Sequence, residues 1–380
     1  MKSIRNWGYF ICLGMMVTGC IDLYTPQVAT SATGYLVVDG VFNPGVGTTT
    51  TIKLSRTVPL DGSPEQAFVG GATVKVEGDD GSSYDYIDSG NGQYQNAGNN
   101  ADPTKKYRLN IIVDQTQYVS DYVTVKLTPE IDSVHWTVAN DQVEILVDTH
   151  DPSNSTRYYL WNYEETWRYH SAWRSTYKYV NGAIVPRDLS DDTYDCYMSA
   201  VNDHVNITST SHLGSDVVHN YQIRNLPLES ERLVALYSVL VSQYALTEDA
   251  FLYWQQVKNN SENLGTIFSP LPSQVISNIH SLNNANEPVV GYFMASTVKQ
   301  KRKFISVNDI PFRVHTTYYQ NCTADTLYPQ YIPTWTGFNS YLIIEPEFKG
   351  IAFIGYSIST PECIDCTYHG GTTVKPSFFP

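Results

Sequence analysis

From about residue 34 onward the chain falls into short runs in which apolar and polar side chains alternate. An alternation of period two marks a half-buried strand. "GYLVVDGVFNPG" predicts a strand over 35–42, closed by the turn triplet Asn43-Pro44-Gly45. "TTTTIKLSRTV" sets Ile52 and Leu54 against Lys53 and Ser55. "GATVKVEGDDGSSYDYIDSGNGQY" predicts two strands joined through Asp79-Asp80-Gly81-Ser82, a hairpin turn of the Asp-Gly kind. "KKYRLNIIVDQTQYVSDYVTVKL" adds two more, with Tyr107, Leu109, Ile111 and Val113 on one face. About six evenly spaced strands without a helical period predict a small β-sandwich. It spans 34–129 and ends near Thr128-Pro129.

A second β-rich module is expected over 130–380. It opens with three strands separated by Ala139-Asn140-Asp141 and by Asp151-Pro152-Ser153, a pattern like the start of an immunoglobulin or fibronectin type III domain. Residues 180–220 are polar and irregular and read largely as loop or insertion. "VVHNYQIRNLP" and "RLVALYSVLVSQYAL" supply later strands, and "EPVVGYFMASTVKQKRKFISV" and "SYLIIEPEFKGIAFIGYSI" read as two strand pairs. "GTIFSPLPSQV", with Pro270 and Pro272, reads as loop. One helix is predicted near 247–259. Thr247 is placed to cap it, Glu248 and Asp249 face the positive end of its dipole, and Ala250, Tyr253, Trp254 and Val257 share a face. The predicted fold class is therefore mainly β: two β-sandwich-type domains, with one or two short helices in the second.

The first nineteen residues follow a different rule. Lys2 and Arg5 precede a mostly apolar run from Trp7 to Val17, and small or moderate side chains lead to Cys20. A membrane span needs about 20 apolar residues to cross about 30 Å of hydrocarbon, and this run is roughly half as long. A basic start, a short apolar stretch and small residues at the exit predict a secretory signal over 1–19. Val17-Thr18-Gly19-Cys20 resembles the bacterial lipobox, which implies acylation of the Cys20 thiol, cleavage before it, and a lipidated tether over 20–33. Several acyl chains give near-permanent attachment, because each buried methylene contributes about 0.8 kcal/mol.

Composition narrows the function. The formal charge is −14, or −16 once Lys2 and Arg5 leave with the signal, so no basic face offers itself to nucleic acid. The basic run "KQKRK" at 299–303 reads as a solvated strand end. Charged residues make up only 16% of the chain while tyrosines number 29, which suits pleated, half-buried surfaces. Beyond Cys20 four cysteines remain: Cys196, Cys322, Cys363 and Cys366. In an exported chain they predict two disulfides, with three connectivities open. The loop signals around "CIDC" argue against a redox pair, and no second ligand pair accompanies it for zinc.

Several pieces then coincide. The lipobox, the first sandwich, "LTEDAFLYWQQVKNN", "GTIFSPLPSQVISNIHSL", "PVVGYFMAS" and the ending "CIDCTYHGGTTVKPSFFP" together resemble the domain of unknown function 4249 family, lipoproteins of the Bacteroidota phylum. The order "GATVKV…G…Y…YRLNIIV", with Gly92 and Tyr94, is also similar to transthyretin-like and carboxypeptidase-regulatory-like modules. Family resemblance implies an outer-membrane lipoprotein, often encoded beside TonB-dependent receptors. The expected role is nutrient capture, or service as partner to a β-barrel importer; a stand-alone glycan- or peptide-binding lipoprotein is the alternative. The face of the outer membrane stays open. The family brings no catalytic residue.

The candidate binding surface is aromatic. In "YYLWNYEETWRYHSAWRSTYKY", Tyr159, Trp161, Tyr163, Trp167 and Tyr169 fall on one side of a strand. Tyr159 to Tyr163 read as an interior stripe. Trp167, Tyr169 and Trp173 are the candidate ligand platform, because Arg168, His170 and Arg174 argue for exposure. Asp79-Asp80, Asp191-Asp192 and Asp148 with Asp151 read as turn chemistry. "DDGSSYDYIDSGNG" lacks the register of a calcium loop. No nucleophile elbow, phosphate loop or His-Glu-x-x-His is present, so neither an enzyme, a cofactor nor a metal site is expected.

Overall fold

A computed structural model describes residues 34–58, 67–262, 275–311, 319–337 and 340–380; the signal, Cys20, the tether and most of the expected 265–275 loop lie outside the described residues. The chain is mainly β, as its alternation predicts. The first module contains β1 (Leu36–Phe42), β2 (Thr49–Arg56), β3 (Ala67–Phe68), β4 (Thr73–Gly78), β5 (Ser83–Gly90), β6 (Gln93–Ala97), β7 (Lys106–Val113), β8 (Thr116–Ser120) and β9 (Val123–Lys126). Its inward faces are those expected. Ile52, Leu54, Tyr107, Leu109, Ile111 and Val113 are all buried in one core. Tyr94 is fully buried; its hydroxyl donates to the Val69 carbonyl at 2.9 Å and accepts the Ala72 N–H at 2.9 Å.

Residues 34–129 do not close this module by themselves. Three strands from far along the chain complete it: β19 (Ile279–Ser281) pairs with β8, while β20 (Val290–Gly291) and β21 (Met294–Ser296) lie parallel to β1. β21 also pairs with β9, and β9 pairs back to β7, so that β7-β4-β5-β6-β2-β1-β21-β9 forms a closed, barrel-like ring. Closure removes the exposed edges that β1 and β9 would otherwise present, and it buries Val289, Phe293, Met294 and Ala295. Gly291 makes the approach feasible. Its φ is +135°, and a Cβ there would sit 2.1 Å from the Val38 carbonyl oxygen. "EPVVGYFMASTVKQKRKFISV" is therefore not a self-pairing strand pair. The chain leaves the first ring at Ser296 and enters the second module as β22 (Val298–Ser306).

The second module is a sandwich. β10 (Ile131–Ala139), β11 (Gln142–His150) and β17 (Val217–Pro227) form one sheet. The other is built on β12 (Tyr158–His170), which pairs along one side with β15 (Asp195–Val201) and β16 (Asn206–Ser209) and along the other with β18 (Leu236–Ala245); β22 follows β18. Tyr159, Trp161, Tyr163, Trp167 and Tyr169 face Val143, Ile145 and Val147 across the core. Trp161 stacks on Tyr159 and Tyr221, with centroids 5.5 and 4.6 Å away, and its Nε1 donates to Gln243 Oε1 at 2.8 Å. Residues 180–220, read as largely irregular, in fact supply β14 (Ala183–Pro186), β15, β16 and the start of β17, and bury Asn206, Thr210 and Asp216.

A small third lobe joins the hairpin of β13 (Tyr177–Val180) and β14 (Ala183–Pro186) to β23 (Asp325–Leu327), β24 (Leu342–Lys349) and β25 (Ala352–Ser359) through Leu327, Ile343 and Ile358. The predicted helix is α1 (Glu248–Glu262), and Thr247 Oγ1 accepts the Ala250 N–H at 3.2 Å. Its apolar face packs Ala250, Tyr253 and Trp254 against Leu160 and Ile207 of the second sandwich and Tyr292 and Met294 of the closing segment. The helix thus wedges the two modules together and walls the cleft between them.

Candidate functional site

The proposed aromatic platform does not form. Trp167 is 5% exposed and Tyr169 is fully buried. The Arg232 guanidinium lies 4.5 Å from the Trp167 ring, and the Tyr169 hydroxyl donates to the Cys366 carbonyl at 2.7 Å. Trp173 is half-buried, and its N–H donates to the Cys363 carbonyl at 3.1 Å. The inward alternation of β12 continues through Tyr169, so the charges of Arg168 and His170 mark the opposite face of the strand rather than exposure of the aromatics. His170 instead stacks on Tyr194 and Tyr319, with centroids 5.0 and 5.8 Å away.

The four cysteines form two disulfides, Cys196–Cys366 and Cys322–Cys363, so the two cysteines of "CIDC" do not join each other. They sit in α2 (Pro361–Ile364) and the turn after it, and tie the carboxy-terminal segment to β15 and to residue 322. The glycines that follow have a steric reason: a Cβ on Gly371 would lie 2.3 Å from the Tyr169 hydroxyl. The basic run lies within β22, paired along β18, and three of its four cations are engaged. Lys299 pairs with Glu130, Lys301 Nζ donates to the carbonyls of Ile131 and Asp132 at 3.1 and 2.6 Å, and Arg302 donates to Ser238 at 2.8 Å. The acidic pairs serve turns and ion pairs. Asp80 accepts the Ser82 N–H, Asp151 accepts the N–H groups of Ser153, Ser155 and Thr156, and Asp191 pairs with Lys178. Among the described residues no group of three His, Cys, Asp or Glu side chains is disposed to hold a metal ion.

The concave surface lies between the modules. A cavity of about 470 Å³ is lined by Asp39 and Lys53 of the first ring, by Asn162, Glu164, Ser242 and Tyr244 of the second sandwich, and by Trp254 of α1. Asp39 and Lys53 are cross-strand partners on β1 and β2. A second cavity of about 380 Å³ continues along the open edge of the sandwich, between β16 and β17; His204 and Val205 line both. The chain leaves β15 at Asn202 to form this wall. The Asn202 side chain accepts the Tyr163 N–H at 3.1 Å in place of a strand neighbour. β17 carries a bulge at Ile223, where its register with β11 shifts, a device that re-aims side chains at sheet edges.

Three buried polar atoms of residues lining these cavities find no hydrogen-bond partner among the described residues: Trp254 Nε1, Asn206 Nδ2 and Tyr163 Oη. Burial pushes the Tyr163 hydroxyl up to about 12, so it remains a donor at neutral pH. Buried polar groups are nearly always satisfied, and unsatisfied ones gathered around a cleft mark where a ligand's polar groups would be accepted.

Behind the second cavity sits a buried ion cluster. Glu165 is 1% exposed; its Oε1 accepts the Tyr237 hydroxyl at 2.7 Å and Arg224 Nε at 3.2 Å, and its Oε2 lies 3.5 Å from Arg232 Nε. Burial opposes the charge on Arg224, but Glu165 more than offsets it and raises the pKa above the ordinary value. Sequence reasoning missed Glu165, Arg224 and Asn206. The legible signal was a carboxylate at an inward position of the strict alternation Tyr159, Trp161, Tyr163, Glu165, Trp167, Tyr169; the partners come from β17 and from the segment before β18, which no local pattern connects.

The fold and site define a mainly β protein, a barrel-like ring joined to a sandwich, with a polar cleft between its modules. Residues 21–302 match the model of the family described as Domain of unknown function (DUF4249), and the chain belongs to that family. The cysteine-bearing ending lies beyond the matched span. No curated protein matches the chain. Among solved structures, a DUF4785 family protein from Legionella pneumophila superposes with a TM-score of 0.19 at 9% identity, covering 55% of this chain and 52% of its own. Escherichia coli alpha-2-macroglobulin activated by porcine elastase gives 0.18 at 13%, over 57% and 18%. Yersinia pseudotuberculosis adhesin InvE gives 0.15 at 11%, over 83% and 70%. The chain thus spans about half of the first and under a fifth of the second, and at such scores the likenesses carry no argument.

Proposed function

We propose that this protein is a lipid-anchored outer-membrane protein that captures a small polar ligand in the cleft between its sandwiches and hands it to a TonB-dependent β-barrel importer. The observation that carries the capture reading is the roughly 470 Å³ cleft, built jointly by both modules and α1, with the unpartnered Trp254 Nε1 in its lining. The attachment reading is supported by Lys2, Arg5, the short apolar run and Val17-Thr18-Gly19-Cys20. Among the described residues no helix is long and apolar enough to cross a membrane; on this reading an acyl anchor at Cys20 supplies the attachment. Importer partnership follows from the family resemblance.

Two measurements test this. Labelling cells with an alkyne-tagged palmitate should mark the wild-type chain and not Cys20→Ser, which should leave the membrane fraction; an unlabelled wild type refutes the anchor. Screening the purified chain against glycan and peptide arrays should yield ligands whose binding falls about tenfold or more in Trp254→Ala, as an aromatic cleft contact is lost. Array binding that Trp254→Ala leaves untouched moves capture out of this cleft. Recovery of a large β-barrel on mild solubilisation supports hand-over, while capture without any barrel favours a stand-alone binding lipoprotein.

A further inference from the structure

Resting on the capture reading of the same cleft, a narrower assignment concerns the chemistry of the ligand. The 380 Å³ cavity is lined by three nitrogen bases, His204, Arg224 and Lys258, and by a single carboxylate, Glu262. That carboxylate is already engaged: it accepts the Val205 N–H at 2.7 Å and lies 3.8 Å from Lys258 Nζ. In a chain of formal charge −14 the cavity thus brings the cations Arg224 and Lys258 together, against Glu262 and the Glu165 behind Arg224. Arg224 is fixed from behind. Its Nε donates to the buried Glu165, the one hydrogen bond its guanidinium makes among the described residues, which leaves both terminal amino groups uncommitted. A guanidinium held this way presents a preorganised planar pair of N–H donors, the fork that suits a carboxylate. Asn206 supplies an independent sign. It is 7% exposed, lines the same cavity, and its Nδ2 is a buried donor with no acceptor among the described residues.

We infer that this cavity receives a carboxylate carried by the captured ligand, with Arg224 as the recognising fork, Asn206 and Lys258 as further donors, and Glu165 as the residue that positions Arg224. Two sources offer that group, an acidic sugar or the free carboxy terminus of a short peptide. The test distinguishes them with matched pairs. The purified full chain is titrated calorimetrically with glucuronate against glucose, and with N-acetyl-Ala-Ala against its carboxy-terminal amide. At least one acid should bind tenfold or more tightly than its neutral twin, and the pair that discriminates names the source. Arg224→Gln should erase that preference. Because Arg224 also neutralises a core carboxylate, Lys258→Gln on the exposed side of α1 serves as the second variant, expected to weaken the acid several-fold and leave the neutral twin unchanged. Glu165→Gln should weaken the acid while circular dichroism stays native. Equal affinity for acid and neutral twin in both pairs overturns the carboxylate assignment and leaves capture standing. No binding of either acid overturns it as well, with capture then decided by the arrays and Trp254→Ala. Acid binding that survives both Arg224→Gln and Lys258→Gln places the carboxylate elsewhere and overturns it too.

Discussion

The two sandwiches solve the same problem of burying a sheet's inner face with different chemistry. The first ring buries an apolar and tyrosine core, and three of its tyrosines spend their hydroxyls on neighbouring groups: Tyr94 on Val69, Tyr107 on the Asp102 carbonyl at 2.8 Å, and Tyr118 on Glu287 at 2.6 Å. The second places an acidic side chain at an inward position of its central strand, surrounds Glu165 with Arg224, Arg232 and Tyr237, and adds a disulfide at the far end of β15. A buried ion cluster is poor at adding stability, because desolvation offsets the attraction. Its value lies in orientation. The second sandwich uses its core to hold a charged side chain at the cleft, whereas the first ring contributes the surface pair Asp39 and Lys53 from strands that residues 279–296 close.

The largest test of this contrast is to remove its centre. Glu165→Ala leaves Arg224 and Arg232 without their buried partner and should destabilise the chain by about 3–5 kcal/mol. Tyr94→Phe deletes one hydroxyl in the first ring and should cost about 1 kcal/mol. Urea unfolding of both variants reads the difference; equal losses would erase the distinction. Next, Cys196→Ala with Cys366→Ala should lower stability by about 2–4 kcal/mol. Proteolysis under mild denaturation should then release fragments from the second module and third lobe first, and early cleavage within β1–β7 would contradict the separation.

Acid sharpens the comparison further. Burial alone would raise the pKa of Asp151, but hydrogen bonds from Ser153, Thr156 and Ser155 outweigh it and hold the carboxyl far below its ordinary range. A folded pKa below the unfolded value of about 3.9 means that the contribution is complete at neutral pH and is lost as pH falls below about 4. Asp151→Asn should therefore lower stability at pH 7 and flatten the acid limb of a stability-versus-pH curve; an acid limb as steep as in the wild type would contradict it. The smallest effect expected is at the helix between the modules. Thr247→Ala removes the cap of α1 and should cost about 1 kcal/mol, measured as a shift in the urea midpoint.

Local alternation made the strands around Ile52, Leu54 and Tyr107 to Val113 legible, and Thr247 announced its helix, because both signals depend only on neighbours two to four residues away. The alternation holds through Trp167 and Tyr169 as well; the charge beside them does not signal exposure, because adjacent strand residues point to opposite faces. The site was barely legible. Glu165 is a carboxylate in register with its apolar neighbours, but Arg224 lies 59 residues away and Asn206 is on a strand whose sequence reads as loop.

What the sequence by itself determined is the mainly β character, the inward stripes of β2, β7 and β12, the helix start at Thr247, and the family to which residues 21–302 belong. What only the tertiary structure decided is which strands meet. Residues 279–296 close a ring begun more than two hundred residues earlier, the "CIDC" cysteines choose Cys322 and Cys196 over each other, and a cleft arises where two modules and a helix converge. The physical reason is one of range. Side-chain period is set by backbone geometry within a few residues, whereas edge closure, disulfide choice and cavity lining are set by surfaces that become neighbours only when the whole chain has collapsed.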